Sequence, residues 1–389
     1  MAPWSRKGDN AVKIRLQRSI VGTLAACAQL LAAPDSVAQP KDIGQIPSAQ
    51  ISASAQPAPI TQPKSRWLPV PWSELPGLHD DPLFEAWNAW LKSCEKPQTV
   101  FAQVCSEVRR MSITSRDEQI NWLKTRLQAY RVEAHVADEA GLLTAYFEPV
   151  LQGSRTATPE FKVPLYRPPA GQAPNKPWFS RKDIDNLPEA RAALQGREIA
   201  WVADPIDALV LHIQGSGRIQ LAATPGAQQI RLAYAGTNGQ PYKSVGRWLL
   251  DQGEISDATW PGIKAWVVQN PLRLQELLWA NPRVVFFREE AVNAADTQTG
   301  PRGAQGVSLT PGRSIAVDPG SIPYGTPVWL SSAGPQLSLN KLVIAQDTGS
   351  AITGAVRADY FAGIGAEAGE LAGRLKQPLK LWVLWPKTP

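Results

Sequence analysis

From Trp67 onward, apolar residues recur at intervals of three and four. Phe84, Trp87, Leu91 and Cys94 make one stripe, Phe101, Val104, Cys105 and Val108 a second, and Ile120, Leu123 and Leu127 a third. This spacing predicts three amphipathic helices with one face each in a core. Around Gly141 the period shortens to two. Leu142, Leu143, Ala145, Phe147 and Val150, interleaved with Thr and Tyr, predict a strand. The middle of the chain is mixed. Trp201–Val202, Leu209–Ile213 and Ile219–Ala222 read as strands, and Val245–Leu250, Ile263–Val268 and Leu272–Trp279 as helices. The last third is mostly β. Ile315–Val317, Pro327–Leu330, Leu342–Ala345 and Leu379–Leu384 are short apolar runs, separated by turns such as Thr310-Pro311-Gly312 and Asp318-Pro319-Gly320. Short strands at such spacing favour a small barrel over a parallel sheet with helices.

The first residues have another pattern. Arg6, Lys7, Lys13, Arg15 and Arg18 precede an apolar, small-residue run from Ile20 to Ala33. That is the layout of an export signal, taken as residues 1–38, and it is too short for a permanent membrane span. Two cleavage readings compete. Leu24-Ala25-Ala26-Cys27 resembles a lipobox with Cys27 as the acylated residue, and Ser36-Val37-Ala38 resembles an ordinary signal-peptidase site. Both place the protein outside the cytosol. Residues 39–66, rich in Pro, Ser, Ala and Gln, read as a disordered linker.

A length of 389 residues accommodates two domains. Forty Lys and Arg against 34 Asp and Glu leave a net charge of +6, too mild and too spread for a nucleic-acid footprint. Three His and three Cys lie far apart, with no H-E-x-x-H or C-x-x-C, so no metal and no cofactor are expected. Fifteen Trp hint at flat ligands such as sugars, although large cores also consume Trp. With Cys27 assigned to the signal, Cys94 and Cys105 remain. They are a permitted disulfide outside the cytosol or two buried thiols.

Candidate chemistry lies in acidic residues at strand ends. Asp318 closes Ser314–Val317, Asp347 closes Leu342–Gln346, and Asp359 precedes Tyr360-Phe361. A carboxylate at the mouth of an apolar barrel is partly desolvated, which raises its pKa toward a value suited to proton donation. Taken singly, such residues are ordinary turn formers. Two other patterns lead nowhere. Asp347-Thr348-Gly349-Ser350 reads like an aspartic-protease signature, but only 29 positions separate it from Asp318, too few for two lobes. Gly215-Ser216-Gly217 lacks the Gly-x-Ser-x-Gly elbow of serine hydrolases, and His212 is the only base near it in sequence.

Four segments together carry a resemblance. They are Gly141–Pro149 (GLLTAYFEP), Leu211–Gly217 (LHIQGSG), Asn281–Phe287 (NPRVVFF) and Leu342–Gly365 (LVIAQDTGSAITGAVRADYFAGIG). In this order they resemble the membrane-bound lytic murein transglycosylase A family, and the last third resembles its 3D region, named for three aspartates. Asp318, Asp347 and Asp359 are the three that match. Phe147 stands where family members often carry a second consecutive Tyr.

The resemblance implies a mainly β fold with N-terminal helices. A double-psi β-barrel would be built from residues 67–148 and 284–389, with the 3D region at about 306–386. Residues 149–283 would be a smaller inserted β-barrel-like domain, with a substrate groove between the two. It implies cleavage of peptidoglycan glycan strands by a lytic transglycosylase. Asp359 would be the acid/base, Asp347 its tuning neighbour and Asp318 a structural acid. Thr144, Tyr146, Glu148, Gln214 and Ser216 would be substrate contacts. A periplasmic monomer, tethered to the outer membrane through lipidated Cys27, would complete it. The competing readings are an inverting muramidase using both Asp347 and Asp359, and a non-catalytic wall-binding protein.

Overall fold

The computed structural model describes residues 57–136, 140–173, 176–222, 228–292 and 298–387. The export signal, Cys27 and the linker up to residue 56 lie outside them. The folded body begins earlier than the change of pattern at Trp67. Ile60–Thr61 (β1) pairs with Arg66–Pro69 (β2), Ser65 is buried with its Oγ donating to Ser321 O at 3.1 Å, and Lys64 reaches Asp318. Residues 57–66 are therefore not a disordered linker. Their backbone pairs with itself and their polar side chains find partners, which a count of apolar residues does not register.

Helices α1 (Leu83–Ser93), α2 (Ala102–Met111) and α3 (Arg116–Arg126) follow. A capping box starts α3: Ser115 Oγ accepts from Glu118 N–H, and the Glu118 carboxylate accepts from Ser115 N–H at 2.8 Å. The stripe of α1 is rotated from the expected one. Leu83, Ala86, Trp87 and Trp90 are buried, while Phe84 is 60% exposed. Cys94 and Cys105 form a disulfide that joins the end of α1 to α2. Tryptophan serves the core here. Trp87, Trp90 and Trp122 stack edge to face in one cluster, and Trp67 and Trp329 are fully buried.

The larger sheet adds β3 (Leu127–Glu133), β4 (Leu142–Glu148), β11 (Ser314–Val317), β12 (Pro327–Ala333), β13 (Ser338–Asp347), β14 (Arg357–Ile364), β15 (Lys376–Pro378) and β16 (Lys380–Pro386). Its order is β1-β2-β3-β16-β12-β13-β11-β14-β4-β15, parallel at β11/β13 and β14/β4 and antiparallel elsewhere. The sheet curls back on itself. Ser332 of β12 donates to Pro378 O at 2.6 Å and accepts from Gln377 Nε2 at 2.7 Å, so β15 returns against β12 and nearly closes six strands. Alternation sorts the side chains. Val328, Leu330, Val343, Val383 and their neighbours fill the inside, whereas Trp329, Leu342, Ile344 and Trp382 face α1–α3.

The chain leaves β4 directly into a second sheet, whose strands are β5 (Val150–Ser154), β6 (Val163–Tyr166), β7 (Glu198–Val202), β8 (Gly217–Leu221), β9 (Gln229–Thr237) and β10 (Val285–Ala291). Its order is β10-β9-β8-β5-β7-β6. β10 pairs with β9, so this sheet keeps the chain beyond Arg283, where the expected boundary lay. The run Leu209–Ile213 is not a strand. It belongs to helix α6 (Pro205–Gln214), because Asp204 caps Ile206 N–H at 2.7 Å, Pro205 occupies the first helical position and Gly215 ends it at φ 78°. A continuous apolar run is ambiguous by period alone, and its punctuation decides. Helices α4 (Arg181–Asn186), α5 (Pro188–Leu194), α7 (Val245–Asp251), α8 (Trp260–Gln269) and α9 (Leu274–Ala280) cover this sheet's region, and α10 (Gly365–Arg374) follows β14. Helices are thus spread along the chain. No described helix is long and apolar enough to cross a membrane.

Candidate active site

Two neighbouring strands build the site by alternation. On β4, Leu143 and Ala145 pack toward the barrel core, so Thr144, Tyr146 and Glu148 occupy the opposite face. On β14, Ala358 and Tyr360 are core residues, which leaves Asp359 and Phe361 on that same outer face. The strands run parallel with Thr144 beside Asp359 and Tyr146 beside Phe361, and the two rings lie 5.2 Å apart. The carboxylate therefore sits outside the barrel wall. It is not at the barrel mouth, as the strand-end pattern suggested.

Asp347 joins this face through an irregularity. Ile315 pairs with Ala345, but Ala316 pairs with Asp347, so β13 carries one extra residue, Gln346. Gln346 turns to α1, its Nε2 donating to Ala89 O and Ser93 Oγ at 2.8 and 2.7 Å. Asp347, Ala316, Asp359 and Thr144 thus form a row across four strands. A loop from the far side completes it. Gly303 lies so close to β13 that a Cβ would stand 2.5 Å from Gln346 O, and the next residue, Ala304, donates its N–H to Asp347 Oδ1 at 2.9 Å.

The two acids have different surroundings. Asp347 Oδ1 also accepts from Thr348 N–H at 2.9 Å, and its Oδ2 accepts from Tyr146 OH at 2.9 Å. Burial is the dominant influence and pushes its pKa up to about 6, against the pull of these donors. Asp359 accepts on Oδ1 from the Thr144 hydroxyl, and Arg357 donates to Thr144 Oγ1 at 2.8 Å. Burial raises Asp359 as well, with Thr144 and the Arg357 charge opposing. Burial and the neighbouring Asp347 hold the Tyr146 phenol well above 10, so it remains a donor.

The raised Asp347 has a consequence for stability. A group whose pKa rises from 3.8 to about 6 on folding contributes stability that is complete below about pH 4 and lost as pH climbs through 6. Asp347→Asn is expected to abolish this loss, worth at most about 3 kcal/mol. Urea unfolding of both proteins at pH 4 and pH 7 checks it, and an identical pH response would contradict the assignment.

The other expected residues divide. Asp318 is apart from the row: burial would raise its pKa, but Lys64 at 2.8 Å and the N–H groups of Gly354 and Gly320 hold it below the usual carboxylate range. Asp318 and Asp347 have separate partners and make no protease dyad. Gln214 Oε1 accepts from Phe147 N–H at 3.0 Å, tying α6 to β4, and the Phe147 ring packs on Gly369 of α10. Ser216 is 9% exposed. His212 is buried with Nδ1 accepting from Val285 N–H at 2.9 Å, and burial keeps it neutral, so it activates no serine. Glu148 must be corrected. It is 0% exposed, held by Arg218 Nε at 2.9 Å and Arg231 Nε at 2.7 Å, and cannot touch a substrate. Strand period suggested it because it shares a face with Thr144 and Tyr146; two arginines of the second sheet cover that end of the face. Among the described residues no group of three or more His, Cys, Asp or Glu is placed to hold a metal ion.

The MltA specific insert domain matches residues 142–288, and the 3D domain matches residues 313–385. Membrane-bound lytic murein transglycosylase A of Escherichia coli K12 is 32% identical over 274 residues, which are 66% of this chain and 69% of that protein. The chain belongs to the membrane-bound lytic murein transglycosylase A family. Its fold is that of solved family members. Lytic transglycosylase LtgG of Burkholderia pseudomallei is 43% identical, covering 83% of this chain and 96% of that one, with a TM-score of 0.59. E. coli MltA with bound chitohexaose is 25% identical, covering 85% and 94%, with a TM-score of 0.64. As a family member the chain is a peptidoglycan lytic transglycosylase, and the E. coli and Vibrio cholerae relatives are named as membrane-bound enzymes.

Three contributors to the candidate site have no place in the sequence analysis. Arg357 had a signal, since it lies two positions before Asp359 and a strand repeats its face every second residue. Ala304 N–H and Tyr324, whose phenol is raised by burial and by the Asp347 charge, arrive from loops and had none.

Proposed function

We propose that this enzyme cleaves the β-1,4 bond between N-acetylmuramic acid and N-acetylglucosamine and leaves a 1,6-anhydromuramyl end, with Asp359 as its single acid and base. The observation that carries the reading is the state of Asp359. Burial favours its protonated form while one of its oxygens is held by Thr144, which leaves the other for a substrate. In the first step the carboxyl proton passes to the glycosidic oxygen as an oxocarbenium-like charge develops. In the second, the muramyl 6-hydroxyl attacks its own anomeric carbon and returns a proton to Asp359. An internal nucleophile has a high effective concentration, so no water is needed.

Asp347 tunes this acid. Its oxygens are occupied by three donors, Ala304 N–H, Thr348 N–H and Tyr146 OH, which argues against the inverting muramidase, where it would have to activate a water. Asp318 is structural. Thr144, Tyr146, Gln214 and Ser216 border a glycan groove between a double-psi barrel (67–148 and 284–389) and the inserted domain (149–283). Asp347 and Asp359 support a groove, because each is only half-buried yet surrounded closely enough to shift its pKa. The hexasaccharide bound by the E. coli relative supports a glycan occupant. Export to the periplasm and lipid attachment at Cys27 to the outer membrane, as a monomer, complete the reading.

Mass spectrometry of purified sacculi digested by the enzyme tests it. Anhydromuramyl ends are expected. Reducing ends would instead establish hydrolysis, and undigested sacculi a binding protein.

A further inference from the structure

The Arg357 guanidinium ends on the hydroxyl that touches the acid. Its Nη2 donates to Thr144 Oγ1 at 2.8 Å, and its Nη1 donates to the carbonyl oxygens of Ala358 at 2.5 Å and Leu142 at 3.4 Å. The group is half-buried and pinned at both ends. A guanidinium has donors only and keeps its charge at any accessible pH. Thr144 Oγ1 must therefore accept from Arg357, and its single hydrogen has to point elsewhere. Asp359 Oδ1 is the acceptor it meets.

We propose that Arg357 is a positioning residue for the acid: by occupying a lone pair of Thr144 Oγ1, it turns the threonine hydrogen onto Asp359 Oδ1 and confines the acidic proton to Oδ2. This rests on Asp359 being the acid and base. In cleavage the Oδ2–H bond breaks and the proton joins the glycosidic oxygen. The bond from that oxygen to the muramyl anomeric carbon breaks, and its electron pair stays on the oxygen. In the return step the muramyl 6-oxygen bonds to the anomeric carbon, and its proton goes to Oδ2. Both transfers use one oxygen because the other is committed to Thr144.

Arg357 also acts through its charge. Among the described residues, the titratable groups that act on Asp359 are Arg357 from its own strand, Tyr146 from β4 and Asp347 from the end of β13. Arg357 is the cation among them and opposes the burial that raises Asp359. Removing it, or the Thr144 hydroxyl, leaves burial less opposed, so Asp359 holds its proton to higher pH.

The test is a set of pH–rate profiles on soluble peptidoglycan glycan fragments, for the wild type, Arg357→Met, Arg357→Lys, Thr144→Val, the Arg357→Met/Thr144→Val double variant and Asp359→Ala. Each variant is first checked by thermal unfolding. Arg357→Met and Thr144→Val are each expected to lower kcat between about tenfold and 10²-fold with KM little changed. Both should move the alkaline limb upward. The double variant should lose no more than the worse single one, since both break the same relay. Arg357→Lys, which keeps the charge, should return the limb toward its wild-type position. If Arg357→Met does not fold, Thr144→Val alone carries the test. Wild-type kcat and pH profile in Arg357→Met or in Thr144→Val, with Asp359→Ala inactive, would overturn the proposal. An active Asp359→Ala would instead remove the acid on which it stands.

Discussion

Asp359→Ala is expected to lower the rate of glycan cleavage by about 10²-fold to 10⁴-fold while the protein still binds sacculi. The argument is local. Of the two carboxylates in the row, Asp347 has its oxygens taken by Ala304 N–H, Thr348 N–H and Tyr146 OH, whereas Asp359 Oδ2 meets no donor among the described residues. Removing it takes away the proton for the leaving oxygen and leaves the remaining outer face, Thr144, Tyr146 and Phe361, in place. Turbidity loss of sacculi and pull-down on the same material separate the two effects. Undiminished clearing by Asp359→Ala would end the acid/base assignment. Loss of binding together with rate would show that the carboxylate serves chiefly to hold substrate.

Glu148→Ala is expected to be the most damaging single change to stability. Glu148 ends β4 in the larger sheet, and its two oxygens receive Arg218 from β8 and Arg231 from β9 in the smaller one. Both guanidinium groups also donate to Thr299 O, at 2.8 and 2.7 Å. Truncating the acid removes the buried carboxylate that both guanidinium groups share, and breaking a buried pair from one side costs about 3–5 kcal/mol. Urea unfolding at pH 7 measures it. Glu148→Gln, which keeps a hydrogen-bond acceptor, should lose less. A cost below about 1 kcal/mol for Glu148→Ala would place the pair among ordinary surface bridges. The same ions explain why Glu148 misled the sequence reading: a period of two shows which face a residue occupies, but not what will be folded onto that face.

Much of the architecture is written in local pattern. The stripes of α2 and α3, the strand at β4, the short strands of the last third and the turns between them follow from spacing and from Pro and Gly, because these are properties of neighbours in the chain. Even so, α1 turned its stripe to bury Leu83 and Trp90 and expose Phe84, since which apolar residues face inward depends on what packs against the helix. The order of motifs was sufficient for family membership, and Asp347 and Asp359, singled out as candidates, lie in one row of the fold. Their relation to each other was not legible. It required one extra residue in β13 at Gln346, a parallel pairing of β14 with β4 across more than two hundred positions, and a loop glycine that lets Ala304 reach Asp347. Residue types and their periods come from the sequence by itself, because helix and strand geometry repeat over a few residues. Which carboxylate is held by a threonine, and which is sealed by arginines, only the tertiary structure decides, because burial and hydrogen bonding are imposed by groups far away along the chain.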